Sequence, residues 1–285
     1  MEKTTQNSYH THISSKHNAL ELKLDEVWRY RDLILLFTKR NFVVRYKQTV
    51  LGPAWILLNP LFSSIIYAIV FGGIAKIGTE GIPTILFYLC SNAIWLFFAT
   101  CVTTNARTFT ENANVFGKVY FPRLTMPISN MLSAGIHFCV QMLMVIGFLG
   151  FYLVQGAVHP NWAAWLLIPV VLLHLGMLGL GCGIIVSSLT TKYRDLAILV
   201  DFAMQLWMYA TPVVYPLSTL EPGWIRTILL INPVTAPVEF FRYAILGQGS
   251  ILPGVLALSW AITIGVMLIG IVIFNKVERT FMDTV

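Results

Sequence analysis

Six histidines, four cysteines and Asp201, a carboxylate beside a long apolar run, are the groups in this 285-residue sequence suited to proton, metal or covalent chemistry. Their spacing assembles none of those reactions. His10, His12 and His17 lie in a polar N-terminal stretch, His159 lies in the turn QGAVHPNW, and His137 and His174 stand singly in apolar runs. The sequence has no HExxH pair, no cluster of carboxylates and no GxxxxGK[ST] phosphate loop; Gly117-Lys118 lacks the upstream glycine and the following hydroxyl. ATP hydrolysis through a P-loop of its own is therefore excluded. One carboxylate is a thin basis for an ion relay, which needs several titratable groups at depth. Asp201 is expected to pair with a nearby cation, and each lone intramembrane histidine to be hydrogen-bonded packing. Cys90, Cys101, Cys139 and Cys182 fall in apolar stretches without metal-ligand spacing and read as small packing residues.

Binding chemistry is better supplied. Tyr67 and Phe71 share one apolar run, Tyr88, Trp95, Phe97 and Phe98 the next, and Trp207, Tyr209 and Tyr215 a later one. Aromatic faces stack on the C–H faces of sugar rings, and Tyr O–H or Trp N–H can bond sugar hydroxyls. The same residue types also populate membrane cores and interfacial belts, so side chains alone leave both readings open. Lys39, Arg40, Arg45 and Lys47 crowd together just before the first long apolar run, with Arg31 upstream. The stretch ENANVFGKVYFPRLTMP (111–127) joins Gly117, Pro122 and Pro127 to the cations Lys118 and Arg123 and to Phe116, Tyr120 and Phe121. Aromatics flanked by cations in a loop mark contact with a protein or a membrane surface.

The elements that position these groups follow from charge-free intervals. The chain is 56% hydrophobic and only 11% charged, with mean hydropathy +0.72, which excludes a soluble domain of this size. Charges are missing from 48–75, 81–106, 124–191, 202–220 and 243–275. A crossing needs about 20 apolar residues, and the longest interval divides at QGAVHPNW (155–162). The prediction is an all-α integral membrane protein with six transmembrane helices near 52–75, 84–106, 126–154, 162–189, 196–215 and 252–274. With both ends on one side, Lys and Arg number 16 on that side and 3 on the other, so that side is expected to be cytoplasmic.

Three pieces do not span. Residues 1–26 read as a polar cytoplasmic tail and 276–285 as a cytoplasmic C-terminus, with the transmembrane domain over 50–275. Residues 27–49 read as an amphipathic helix on the inner leaflet, with Tyr30, Leu33, Phe37 and Val44 on its apolar stripe. Residues 217–250 are too short for two ordinary crossings and carry Pro222, Pro233 and Pro237. They are expected to form a re-entrant helical hairpin between helices five and six, broken at Asn232-Pro233 and lining an outer mouth.

Four stretches together resemble the membrane subunit of ABC-2 type exporters, in the branch that moves lipid-linked polysaccharides such as O antigen, capsule and teichoic acid. They are RYKQTVLGPAWILLNPL (45–61), VYFPRLTMPIS (119–129), YRDLAILVDFAMQLWMYATPVVYP (193–216) and INPVTAPVEFFRYAILG (231–247). The similarity covers about residues 28–275 in order. It implies a homodimer of this chain working with two copies of a separate ABC ATPase, which holds ATP and Mg; this chain holds no cofactor and no metal, and nucleic acid is not a partner. It implies a polyprenyl-diphosphate-linked glycan as substrate, passing through the cytoplasmic membrane among its lipids. In that frame Tyr67, Trp95, Phe98, Trp207, Tyr209 and Tyr215 line the glycan path. Arg40, Arg45, Lys47 and Arg107 meet the pyrophosphate at the inner entrance. Arg40, Arg45, Lys47, Tyr46, Phe116, Lys118, Tyr120, Phe121 and Arg123 contact the ATPase, and Glu239 and Arg242 edge the exit. Alternatives are an ABC-2 permease for teichoic acid, another lipid or a drug, a polyprenol-glycan membrane enzyme, and a membrane scaffold. The enzyme would need an acidic cluster at a membrane surface, which the sequence lacks.

Overall fold

The computed structural model of the chain describes residues 24–119, 121–193, 195–249 and 251–284. Most of the expected tail, with His10, His12 and His17, lies outside the described residues, as does Tyr120. All regular structure among the described residues is helical. α1 (Leu24–Arg29) and α2 (Arg31–Tyr46) form the segment before the first span. That span, Gly52–Ile74, holds α3 (Trp55–Tyr67) and a π-wound end, where Ala75 N–H reaches the Val70 carbonyl at 2.8 Å. α4 (Thr84–Ala106), α5 (Thr108–Phe116), α6 (Thr125–Val154), α7 (Trp162–Trp165) and α8 (Ile168–Thr190) follow. α9 (Leu196–Tyr209), α10 (Trp224–Ile231), α11 (Thr235–Leu246) and α12 (Pro253–Thr284) complete the order.

Among the described residues, five stretches are long and apolar enough to cross a membrane: Gly52–Ile74, α4, α6, α8 and Pro253–Val277 of α12. The chain is a multi-pass helical membrane protein. Two expected spans differ in detail. The fourth is divided, with α7 a single turn and α8 restarting behind Pro169, a residue suited to a first helical turn. The fifth is short. α9 has 14 residues, about 21 Å at about 1.5 Å each, and the chain then runs through turns to Pro216. The break at Asn232-Pro233 is where the sequence places it, and α10 and α11 meet there at 85°.

α4 is the hub of the bundle, buried along most of its length, whereas α3 and α12 keep most of their surface outward. α8 lies against α4 along a face of small residues. A Cβ on Gly183 would sit 2.4 Å from the Asn105 Cβ, and one on Gly179 2.6 Å from the Cys101 Cβ. Small residues let two membrane helices approach backbone to backbone and gain packing over their whole length. Cys90 and Cys101 are buried as expected, Cys182 is half-buried, and Cys139 is exposed.

A second core sits at the basic end of the bundle. Phe37 of α2, Phe109 and Phe116 of α5, Phe121, Leu124 and Phe274 of α12 gather there. The buried stripe of α2 is Ile34, Phe37 and Thr38, with Asn41 continuing it at helical spacing. It differs from the expected one, since Val44 is exposed. The reason is non-local: α2 rests on α6, with Asn41 Nδ2 donating to Asn130 Oδ1 at 2.9 Å. Leu35, Leu36 and Val43 remain free on the other side for lipid or a partner.

Candidate substrate path and partner surfaces

The four expected entrance cations do not form one cluster. Arg40 and Arg45 line a crevice of about 550 Å³ between α2, α4, α5 and α6. Arg40 lies over the Phe37 ring, 4.8 Å from its centroid, and donates to Asn112 Oδ1 at 3.3 Å. Arg45 and Lys47 are exposed. Arg107 stands apart, ion-paired to Asp201 of α9. Asp201 thus finds the partner expected of it, and this pair ties the start of α9 to the end of α4. Arg45 also lines a second, adjoining chamber of about 400 Å³ with Tyr46, Trp55, Asn59 and Gln141. Burial pushes the Tyr46 phenol pKa up, so it remains a neutral group at physiological pH.

The crevice and the adjoining chamber share a face of α6 that the sequence reading did not assemble, having taken His137 as a lone packing residue. Asn130, Ser133, His137 and Gln141 recur at helical spacing on α6 and form one polar stripe inside an apolar span. Polar groups at that depth are costly without a use, and their spacing was the available signal.

Two of the three aromatics of the 111–127 stretch, Phe116 and Phe121, are buried. Phe116 and Phe121 are 3% and 4% exposed, their rings 5.6 Å apart, and Phe121 lies 5.6 Å from Phe37. Arg123 is buried too, with its guanidinium 5.8 Å from the Phe116 ring centroid. This corrects the expectation of exposed aromatics. Their apolar area is more favourably placed in the second core, where it anchors α5 to α2 and α12. Among the described residues of the loop, Gly117, Lys118 and Val119 are exposed.

The expected path aromatics divide likewise. Trp95 and Phe98 are buried in α4, ring to ring at 5.6 Å, and Phe98 meets Trp207 edge-on at 5.3 Å. Trp207 donates its indole N–H to Asn232 Oδ1 at 3.1 Å. Asn232 also donates to the Ala210 carbonyl at 2.7 Å and the Thr211 hydroxyl at 3.0 Å, so one side chain pins the α10–α11 break to the end of α9. Tyr67 is half-buried, with its hydroxyl 3.5 Å from the Met208 sulfur. Tyr209 is exposed, and its carbonyl accepts from the Tyr215 hydroxyl at 3.0 Å. Tyr209 is therefore exposed, Tyr67, Trp207 and Tyr215 are half-buried, and Trp95 and Phe98 are buried.

Glu239 and Arg242 are both buried, and Glu239 lines only a narrow recess beside Thr235 and Ile251. Arg242 is fully buried and ion-paired to Glu239 one turn earlier on α11. Its guanidinium lies 4.8 Å from the Phe87 ring centroid on α4. This corrects the exit assignment: the pair is an internal lock between α11 and α4. His174 behaves as packing, stacked on Trp260 at 4.1 Å with Nε2 2.9 Å from the Thr263 hydroxyl.

Long apolar helices around a buried hub, a basic end carrying a surface helix, and a bent helix pair at the other end are the frame in which the family relationship stands. The family model described as ABC-2 type transporter matches residues 32–246. The chain belongs to the ABC-2 type transporter family. Among similar proteins, the O-antigen export system permease protein RfbA of Klebsiella pneumoniae is 29% identical over 257 residues, covering 88% of this chain and 94% of its own. The protein of the same name from Myxococcus xanthus is 28% identical over 221 residues, covering 76% of this chain and 81% of its own. In this ABC-2 chain the matched region begins at the start of α2 and ends at the end of α11. It therefore includes both the surface helix and the bent pair.

Proposed function

We propose that this chain is the permease subunit of an ATP-driven exporter that moves a polyprenyl-diphosphate-linked polysaccharide, O antigen, from the cytoplasm across the inner membrane. The observation that carries this is similarity along almost the whole length to permeases named for O-antigen export. Two copies of the chain pair with two copies of an ABC ATPase, which supplies the ATP and Mg site. Both termini lie in the cytoplasm. α9 completes a sixth crossing with the turns that follow it, and α10–α11 form the re-entrant hairpin on the outer side.

Within this reading, Arg40, Arg45 and Lys47 receive the anionic diphosphate, and Arg107, paired to Asp201, holds α9 against the end of α4. Lys118 and Val119, with the outer face of α2, are the surface offered to the ATPase. Phe116, Phe121 and Arg123 act from behind as the rigid anchor that carries ATPase closure into α5 and α6; such transfer needs a packed lever between two arrangements. The glycan passes along Tyr67, Tyr209 and Tyr215, and Trp95, Phe98 and Trp207 hold that face in place.

Deletion of the chain should abolish surface O antigen on a lipopolysaccharide gel, and restoring it should restore the ladder. A tagged chain purified in mild detergent should bring a P-loop ATPase in stoichiometric amount. Unchanged surface glycan after deletion would overturn the reading.

A further inference from the structure

α4 ends at Ala106 and α5 begins at Thr108, with Arg107 at the bend between them. A helix end leaves its last four carbonyls without helical donors, and here other helices reach in to supply them. Thr190 of α8 donates its hydroxyl to the Ala106 carbonyl at 3.2 Å. Asn130 of α6 turns its amide Nδ2 to the Thr104 carbonyl at 3.4 Å, to Asn105 Oδ1 at 3.2 Å and to the Thr108 hydroxyl at 3.4 Å. Arg107 itself is ion-paired to Asp201 of α9. Side chains of α6, α8 and α9 therefore all hold this one bend.

Asn130 also holds α2. Its Oδ1 accepts from Asn41 Nδ2 at 2.9 Å. Next to Asn41, one terminal nitrogen of Arg40 donates to Asn41 Oδ1 at 3.2 Å and to Asn112 Oδ1 of α5 at 3.3 Å, which ties α2 to α5. A single amide thus has the surface helix on its oxygen and the α4–α5 bend on its nitrogen. Its nitrogen carries two hydrogens, and three acceptors at nearly equal distances share them. Asn105 Nδ2, buried beside it, finds no acceptor among the described residues. Shared hydrogens and a spare donor let the partners exchange, whereas a fully matched buried network is rigid. A joint that passes movement between helices needs two arrangements of this kind.

We propose that Asn130 is a positioning residue for export: movement of α2 and α5 is passed through its amide to the α4–α5 bend, and from there through Arg107 and Asp201 to α9. The inference rests on the export reading above, in which a partner ATPase moves the surface helix. Capping of α4 by itself calls for one donor to the Thr104 carbonyl, and accounts neither for the bond to α2 nor for the tie from the bend to α9.

The test uses the full-length chain with its co-purified ATPase in nanodiscs for ATP hydrolysis, and cells for surface O antigen. Asn130→Leu keeps the shape of the side chain and removes both halves of the joint. Asn41→Leu removes only the α2 half and leaves the grip on the bend, so it decides alone where Asn130→Leu does not accumulate. Each should lower surface O antigen about tenfold, the worth of one well-placed hydrogen bond. Bound ATPase and the rate of hydrolysis should stay within about twofold of the parent, so that ATP is spent without export. Asn41→Gln, which keeps a donor and an acceptor, should export within about twofold of the parent. Near-parental export in Asn41→Leu would overturn the joint. A fall in export matched by an equal fall in bound ATPase or in hydrolysis would overturn it as well, and would mark a packing or docking role. A parent chain that brings down no ATPase, or surface glycan unchanged by deletion of the chain, is the separate result that overturns the export reading and this inference with it.

Discussion

Glu239→Gln should destabilise the protein far more than any exposed charge change. Arg242 and Glu239 are 0% and 2% exposed, so neutralising the carboxylate leaves a cation sealed in the protein. Breaking a buried pair in this way costs about 3–5 kcal/mol. Three residual interactions place the expected value at the lower end. The guanidinium keeps its place over Phe87 at 4.8 Å, it reaches the Tyr215 carbonyl at 3.5 Å, and the Glu80 carboxylate still acts on it. The expected loss is about 3 kcal/mol, roughly a hundredfold in the folding equilibrium. Adding Arg242→Met removes the stranded charge and should recover about 2 kcal/mol, because an apolar replacement of a buried pair is often close to neutral. SDS titration of the purified chain, followed by tryptophan fluorescence, gives the midpoints for parent, single and double variants. A single variant as stable as the parent, or a double variant no better than the single, would refute the reasoning. It would mean that water reaches the pair, as it would at an exit.

Gly183→Val should lower the yield of folded protein sharply, because even a Cβ there meets Asn105 Cβ at 2.4 Å and the Val102 carbonyl at 3.0 Å; overpacking of this kind costs about 1–3 kcal/mol. Gly254→Ala, with nothing within 4 Å, is the control and should purify like the parent on size exclusion. Asn232→Leu removes hydrogen bonds to Trp207, Ala210 and Thr211, each worth about 1 kcal/mol. It should shift the unfolding midpoint and the tryptophan emission together. Tyr209→Ala should reduce O-antigen export in cells while leaving stability within about 0.5 kcal/mol, as for surface changes, since that side chain is 51% exposed; full export would remove Tyr209 from the path.

The membrane spans were legible because a helix in lipid must satisfy its backbone internally and exclude charge, so each crossing leaves a charge-free run that needs no partner to be read. The break at Asn232-Pro233 was legible because proline restricts its own neighbourhood. The pairing of Asp201 was legible in kind, although Arg107, far away in sequence, supplies the cation. The polar stripe of α6 was present in the spacing of Asn130, Ser133, His137 and Gln141, but spacing alone does not say that α2, α3 and α4 leave a cavity beside it.

What the sequence by itself determined is therefore what depends on local composition: the helical membrane class, five of the six expected spans, the basic end and the family. Only the tertiary structure decided which way the loop aromatics and the hairpin charges turn. Phe116 and Phe121 face inward because α2, α5 and α12 converge over them, and Glu239 and Arg242 are buried because α11 packs against Phe87 of α4. Side-chain direction is set by non-local packing, since burial is favourable only where another element arrives to complete it.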